Sequence, residues 1–200
     1  MSTASLARPF RIALPLVVLA ACASPQPKPD AADPTGPSKS TVERGAYLVG
    51  FGGCNDCHTP KLFTAAGPVP DTTRLLSGHP AESRLPVLPP GVVGTEPTKW
   101  GAITTADLTA WSGPWGTSFA ANLTPDASGL AGWTDSLFIA TMRTGKHFGS
   151  GRPILPPMPW FSLNELTDDD LRAVFSYLRS IKPIANIVPR PIPPAAAPPS

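Results

Sequence analysis

The most regular hydrophobic pattern in the chain lies near its C-terminal end. Thr167 is a good N-cap, and three aspartates follow it, at the positive end of the predicted helix dipole. Apolar side chains then recur at i, i+3, i+4 and i+7, namely Leu171, Val174, Phe175 and Leu178. This spacing predicts an amphipathic helix whose apolar stripe packs across another helix.

Two further segments have helical spacing. The first runs from about Thr41 to Val49, with Thr41 or Ser40 as its N-cap, and its Gly45 would let another helix approach closely. The second begins with Thr134 as N-cap and ends at Gly145. Strand patterns are weak, and we predict one short pairing, between residues 103–108 and residues 115–120.

The N-terminal region has the pattern of an export signal. Arg8 and Arg11 precede an apolar run that ends at Cys22 and is shorter than the roughly 20 residues of a membrane-spanning helix. We therefore expect a signal peptide at residues 1–21. The sequence LAAC that ends at Cys22 resembles the lipobox of bacterial lipoproteins, which implies that Cys22 is acylated. Ordinary cleavage after Ala23, which would release a soluble periplasmic protein, is the alternative.

Proline-rich segments flank the region that contains the predicted helices, and they indicate where the folded domain begins and ends. The 200 residues include 28 prolines, and residues 22–40 have the composition of an extended linker that holds a folded domain away from a membrane surface. We expect the folded domain at residues 41–183. Residues 184–200 form a Pro-rich tail that is either a strap over the domain or a disordered end. A lipid on Cys22 would tether the protein to a membrane in the periplasm, with the outer membrane favoured by Ala23.

The balance of charge argues against one class of partner. The formal net charge is +2, from 16 basic and 14 acidic residues. Loss of Arg8 and Arg11 with the signal peptide would balance the two signs. Since the chain also has no basic cluster, we expect that it does not bind nucleic acid.

Two of the three cysteines belong to a Cys-x-x-Cys-His motif formed by Cys54, Cys57 and His58. This spacing is typical of c-type haem attachment, because the two thiols can bond one edge of a porphyrin while the next imidazole reaches the iron. We predict one covalent haem on Cys54 and Cys57, with His58 as the proximal ligand. A thioredoxin-like redox pair, a plain disulfide, or a zinc site completed by His79 or His147 are the alternatives.

The iron of such a haem needs a ligand on its other face. Met158 lies in the sequence PPMPW, where prolines fix φ and remove backbone donors, so that a stiff loop presents its thioether. Met142 has helical spacing from Phe138, which indicates packing. We therefore predict Met158 as the sixth ligand. Three side chains are candidates for hydrogen bonds to haem propionates: Trp100, Trp115 and Arg152.

These motifs resemble those of class I cytochromes c, and most of all the cytochrome domains of bacterial periplasmic dehydrogenases. The resemblance rests on the haem motif, the PPMPW loop, and the sequences NLTPD at 122–126, GWT at 132–134 and RTG at 143–145. It covers residues 42–61 and 122–182, and it fades in the Pro- and Gly-rich region between them. It implies an all-α cytochrome c fold, with three or more core helices around a covalent haem and a long inserted loop region.

Histidine and methionine together leave the iron no open position, so the predicted function is electron transfer rather than catalysis. We expect a mono-haem carrier, not an enzyme. Its electrons would come from a periplasmic dehydrogenase or reductase and pass to another cytochrome or an oxidase. The main alternative is a haem enzyme with an exchangeable sixth ligand, such as a peroxidase or a sulfur-compound oxidase. A gas or redox sensor, which would need a signalling domain, is a further alternative.

Overall fold

The computed structural model of the protein describes residues 37–194. Its helices and strands follow in the order α1 (Lys39–Phe51), α2 (Cys54–His58), β1 (Lys61–Thr64), β2 (Gly67–Pro70), β3 (Ile103–Thr104), β4 (Ala110–Gly113), β5 (Gly116–Phe119), α3 (Asp135–Thr144), α4 (Trp160–Leu163) and α5 (Asp168–Ser180). The predicted signal peptide at 1–21, Cys22 with most of the linker, and residues 195–200 of the tail lie outside the described residues. Within residues 37–194, no helix has the length and apolar character needed to span a membrane.

The three helices predicted from hydrophobic spacing are present. The Thr134 hydroxyl caps α3 by accepting a hydrogen bond from the Leu137 amide at 3.3 Å, and the helix ends at Gly145 with a φ of +64°. Thr167 caps α5 by accepting from the Asp170 amide at 3.1 Å. These two boundaries confirm the predicted caps.

The start of α1 differs from the prediction. The helix begins at Lys39, and its N-cap is Ser38, whose side chain accepts a hydrogen bond from the Thr41 amide. The sequence predicts Ser40 or Thr41 as the cap, but both have helical backbone geometry. Because three hydroxyl residues stand close together here, each satisfies the local capping rule, and only the extended backbone at Ser38 distinguishes the true cap.

Helices α1 and α5 cross at Gly45, where the backbone of α1 lies against Ala173 and Tyr177 of α5. This close approach confirms the role predicted for Gly45. The core around the crossing also takes in α3, and its buried members are Leu48, Val49, Leu76, Leu130, Phe138, Met142, Leu171, Val174, Phe175 and Leu178. Met142 therefore packs in the core, as its spacing indicated.

The prediction of an all-α fold is wrong. Within the described residues, two small antiparallel sheets accompany five α-helices, so that the class is mixed α and β. Strands β1 and β2 form a hairpin whose register runs from Lys61 opposite Pro70 to Thr64 opposite Gly67. The other sheet has the order β3-β4-β5. All five strands lie between residues 61 and 119, in the region that we expected to be an inserted loop.

The predicted pairing of residues 103–108 with residues 115–120 is also wrong in its detail. Strands β3 and β5 lie within these ranges, but each pairs with β4 rather than with the other. Strand β4 was missed because Ala110–Gly113 has no alternation of apolar and polar positions, and its pairing depends on backbone hydrogen bonds instead.

Residues 184–194 of the Pro-rich tail lie along the domain as a strap. The amide of Thr117 donates to the carbonyl of Ile192 at 2.8 Å, and the amide of Ile192 donates back at 2.9 Å. Asn186 of the strap is only 5% exposed. The strap therefore contributes a buried polar side chain to the domain.

Candidate functional site

Helix α2 places both thiols of the Cys-x-x-Cys-His motif on one face, because Cys54 and Cys57 are three positions apart. Both cysteines are free thiols and half-buried, and Cys54 packs against the core. Burial raises the pKa of the Cys54 thiol, and burial together with the charge of Asp56 raises the pKa of Cys57. Neutral thiols are the opposite of the low-pKa thiolate that a thioredoxin-like pair requires.

His58 is 8% exposed, and its imidazole is oriented by one hydrogen bond. Its Nδ1 lies 2.8 Å from the carbonyl oxygen of Ala121. Because a carbonyl oxygen only accepts, Nδ1 carries the proton and Nε2 keeps its lone pair. Burial lowers the pKa of His58, while the hydrogen bond to Ala121 opposes that shift. The result is a neutral imidazole, with Nε2 free of hydrogen bonds to residues 37–194, as a metal ligand requires.

The carbonyl of Ala121 is held in place by the segment that follows the first hairpin. The Gly78 amide donates to the His58 carbonyl at 2.8 Å, and the His79 amide donates to the Ala120 carbonyl at 2.9 Å. The Leu123 amide donates to the Leu76 carbonyl, also at 2.9 Å. Residues 76–79 thus lie between the haem motif and residues 120–123, and their backbone forms hydrogen bonds with both segments.

Met158 is half-buried in an irregular loop that is tied at both ends. Its carbonyl accepts a hydrogen bond from the Trp160 amide at 2.9 Å, and the Trp160 ring lies against the backbone of Gly145. On the other side of Met158, the Ser118 hydroxyl donates to the carbonyl of Pro156. These contacts restrict the backbone on either side of the thioether.

One short segment of the chain contacts both predicted ligand regions. Ser118, in β5, binds the loop of Met158, and Ala121, two residues after β5, binds His58. Trp115 is also joined to this segment, since its indole N–H donates to the Ser118 hydroxyl at 3.3 Å. The end of β5 therefore connects the surroundings of the two predicted axial ligands.

The other two propionate candidates make hydrogen bonds within their own loops. Trp100 is 69% exposed, and its backbone amide donates to Val92. Arg152 is exposed, and its guanidinium donates to the carbonyl of Pro153 at 3.3 Å. Of the three candidates, the structure joins Trp115 to the segment between the predicted ligands.

Two buried amide side chains near the site were not found by sequence reasoning. Asn122 follows Ala121 directly, and its side chain bonds both to Thr124 and to Ile184 of the strap. Asn186 bonds the loop of residues 77–81. The NLTPD sequence marked the position of Asn122, but nothing in the Pro-rich composition around Asn186 indicated a buried side chain.

The other interpretations of the motif find little support in the described part of the chain. Residues 37–194 contain no group of three or more His, Cys, Asp or Glu side chains that could hold a metal ion, as a zinc site would need. Cys54 and Cys57 are not joined in a disulfide. The residues present do fit a haem, because two neutral thiols on one helical turn precede a histidine with a free Nε2.

Comparison with known proteins finds similarity to subunits of bacterial dehydrogenases, two of which are named as cytochrome subunits. The cytochrome c subunit of alcohol dehydrogenase (quinone) from Gluconobacter oxydans is 24% identical over 149 residues, which are 74% of this chain and 23% of that subunit. The cytochrome subunit of fructose dehydrogenase from Gluconobacter japonicus is 24% identical over 174 residues, 86% of this chain and 28% of that subunit. A nicotinate dehydrogenase subunit from Pseudomonas putida is 34% identical over 77 residues, 38% of this chain and 6% of that protein.

This chain thus spans at most 28% of the length of these three relatives. No protein-family model matches it. The similarity to cytochrome subunits of bacterial dehydrogenases supports a cytochrome c-like family, haem binding and a general role in electron transfer.

Proposed function

We propose that this chain is a mono-haem c-type cytochrome that carries single electrons and is not itself an enzyme. Cys54 and Cys57 hold one haem covalently, and His58 and Met158 are the axial ligands of its iron. The observation that carries the proposal is the buried imidazole of His58, whose Nδ1–H is bound by Ala121 while its Nε2 keeps a lone pair beside two free thiols.

When bound, the haem supplies an iron that alternates between the ferrous and ferric states. The chain's own residues then hold the ligands in fixed positions. Donation of the His58 proton toward Ala121 raises the basicity of the imidazole, which makes His58 a stronger ligand. Met158 lies in a loop tied at Pro156 and Trp160, and its thioether would serve as the second protein ligand of the iron, which would leave no site for a substrate.

The partners that we propose are redox proteins. A periplasmic dehydrogenase or reductase donates the electron, and another cytochrome or an oxidase accepts it. The relatives support the proposed electron donor, since they are named as cytochrome subunits of dehydrogenases. We further propose that the chain is exported and tethered to a membrane, with the outer membrane favoured, through a lipid on Cys22. The proposed partners do not include nucleic acid.

Absorption spectra of protein matured with haem test the ligands. Met158→Leu and Met142→Leu are a matched pair, because both remove a thioether at nearly constant volume and only Met158 is proposed to ligate iron. We expect the weak far-red band of ferric methionine ligation to be lost in Met158→Leu and retained in Met142→Leu. The reduced protein should bind carbon monoxide at neutral pH only in Met158→Leu.

One result would contradict this function, and another would contradict the choice of methionine ligand. Carbon monoxide binding by the reduced native protein at neutral pH would favour the haem enzyme with an exchangeable sixth ligand. Loss of the far-red band in Met142→Leu, but not in Met158→Leu, would show that Met142 is the iron ligand instead of Met158.

The mass of the mature chain tests the N-terminal processing and the number of haems. Compared with the mass of Cys22→Ala, it separates lipidation at Cys22 from cleavage after Ala23.

A further inference from the structure

We propose that Asn186, on the C-terminal strap, is a positioning residue for the iron ligand His58. The inference rests on the proposed function, because it assigns Asn186 a role through His58. Asn186 lies 128 positions after His58 in the sequence, and the two side chains are connected through two backbone segments.

The side chain of Asn186 makes three hydrogen bonds to backbone groups inside the protein, and both of its N–H donors are used. Its Nδ2 donates to the carbonyls of Ser77 at 2.7 Å and His79 at 2.9 Å, and its Oδ1 accepts from the amide of Ala81 at 3.0 Å. Two backbone carbonyls and one backbone amide around the side chain also determine which of its terminal atoms is the nitrogen and which is the oxygen. An apolar residue here would leave three backbone groups without partners.

The two carbonyls bound by Asn186 flank Gly78, which contacts both partners of the His58 hydrogen bond. The Gly78 amide donates to the carbonyl of His58 at 2.8 Å. Its backbone also lies against Ala121, since a Cβ at Gly78 would be 2.6 Å from the Ala121 carbonyl carbon. By fixing the backbone on both sides of Gly78, Asn186 sets the distance between His58 and the carbonyl that accepts its proton.

The strap holds the acceptor from a second direction. Asn122, the residue after Ala121, donates to the carbonyl of Ile184 on the strap at 2.8 Å. The hydroxyl of Ser128 then accepts two hydrogen bonds, one from the backbone amide of Asn186 at 2.9 Å and one from the side-chain amide of Asn122 at 3.1 Å. The Ala121 carbonyl is therefore confined between two segments that the same strap fixes, and loosening the strap loosens the hydrogen bond of His58.

NMR of the reduced, haem-loaded protein tests this role through the Nδ1 proton of His58. We compare Asn186→Ala and Asn186→Asp with Ile187→Ala, a control on the same strap at a side chain that is 80% exposed. Asn186→Asp keeps an acceptor for Ala81 but loses both donors. In both Asn186 variants we expect the Nδ1 proton to exchange with deuterium about tenfold faster or more, and its resonance to move as the bond lengthens. In Ile187→Ala, the exchange rate and the resonance position of this proton should be unchanged.

The amide protons of α5 separate this local effect from general destabilisation. They should exchange at the native rate in the Asn186 variants, because α5 does not contact Asn186 by a hydrogen bond. Equal acceleration of the α5 amides and the His58 proton, or native exchange of the His58 proton in both variants, would overturn the inference. If neither Asn186 variant folds, Ser128→Ala provides the test. It removes the acceptor that the Asn186 backbone amide and the Asn122 side chain share, together with the hydroxyl's own donation to Asp126, and should show a smaller effect in the same direction.

The native protein serves as a separate check on the proposed function. Absence of a haem-bound His58 in its spectrum would overturn that function, and this inference with it, before any variant is compared. A native protein with ligated His58, together with unaffected Asn186 variants, would overturn this inference alone.

Discussion

Replacement of Gly45 by alanine tests the crossing of α1 and α5, the contact that positions the helix leading into the haem motif. A Cβ at Gly45 would lie 2.6 Å from the carbonyl carbon of Ala173 and 2.8 Å from the Cβ of Tyr177, and it would overlap the Ala173 carbonyl oxygen. Carbon atoms in contact are about 3.5–4.0 Å apart, so the two helices would have to separate by about 1 Å. The obstructing atoms are mainly backbone, which cannot rotate out of the way.

Two opposing terms set the magnitude of the effect. Overpacking of a tight contact costs about 1–3 kcal/mol, and sometimes more, in the free energy of unfolding. Alanine is favoured over glycine inside a helix by about 1 kcal/mol, which offsets part of this cost. Because the overlap at Gly45 involves backbone atoms, we take the upper end of the first range and expect a net loss of about 2 kcal/mol.

Gly50→Ala is the matched control, because Gly50 lies in the same helix and a Cβ there would meet no atom within 4 Å. It should leave the free energy of unfolding unchanged or raise it by up to about 1 kcal/mol. Guanidinium unfolding of both haem-loaded variants, followed by circular dichroism, measures the two effects. A Gly45→Ala protein as stable as the native one, or equal losses in both variants, would refute the packing argument.

Three further predictions concern a buried histidine, the haem attachment and a half-buried arginine. Burial lowers the pKa of His79 below its usual 6.5, so the unfolded chain binds a proton at a higher pH than the folded protein does. The free energy of unfolding should therefore fall as the pH drops below about 6.5, and His79→Gln should reduce the slope of that fall in urea titrations; an unchanged slope would contradict this. The haem-free Cys54→Ala/Cys57→Ala protein should be largely unfolded or molten, because its helices bury too little apolar area alone, whereas a well-dispersed NMR spectrum would show the reverse. Arg143→Lys should lower the free energy of unfolding by about 1–2 kcal/mol in thermal melts, and equal stability would count against the role of its contacts. The guanidinium of Arg143 donates to the carbonyls of Asn164 and Leu166 and to the carboxylate of Asp168.

The elements that sequence reasoning predicted well are those with local causes. Thr134 and Thr167 each cap a helix whose hydrophobic spacing begins within the next turn, and Gly145 ends α3 with a positive φ. These signals are contained within about four residues of the boundary that they define. The N-cap of α1 shows the limit of that rule, since Ser38 had equivalent competitors two and three residues later.

The fold class was missed because strand pairing in this chain has few side-chain signals. Strand β2 contains Pro68 and Pro70, residues that argue against a strand in a sequence pattern but are tolerated on the edge of a two-stranded sheet. Strand β3 has only two residues. Hydrophobic periodicity needs longer segments than these, so the region between residues 61 and 119 resembled a loop.

The haem motif and its surroundings differ in what a sequence can reveal. The thiols and the imidazole act through side chains, so their identity and spacing are visible at Cys54, Cys57 and His58. The acceptor of the His58 proton is a backbone carbonyl, and any residue at position 121 would present one. Its position depends on buried amides elsewhere, because only a side chain with both donors and an acceptor can bond three backbone groups as Asn186 does. The side chains that position such a ligand are therefore recognised by their burial and by their hydrogen bonds to several backbone groups in the fold, and not by a motif.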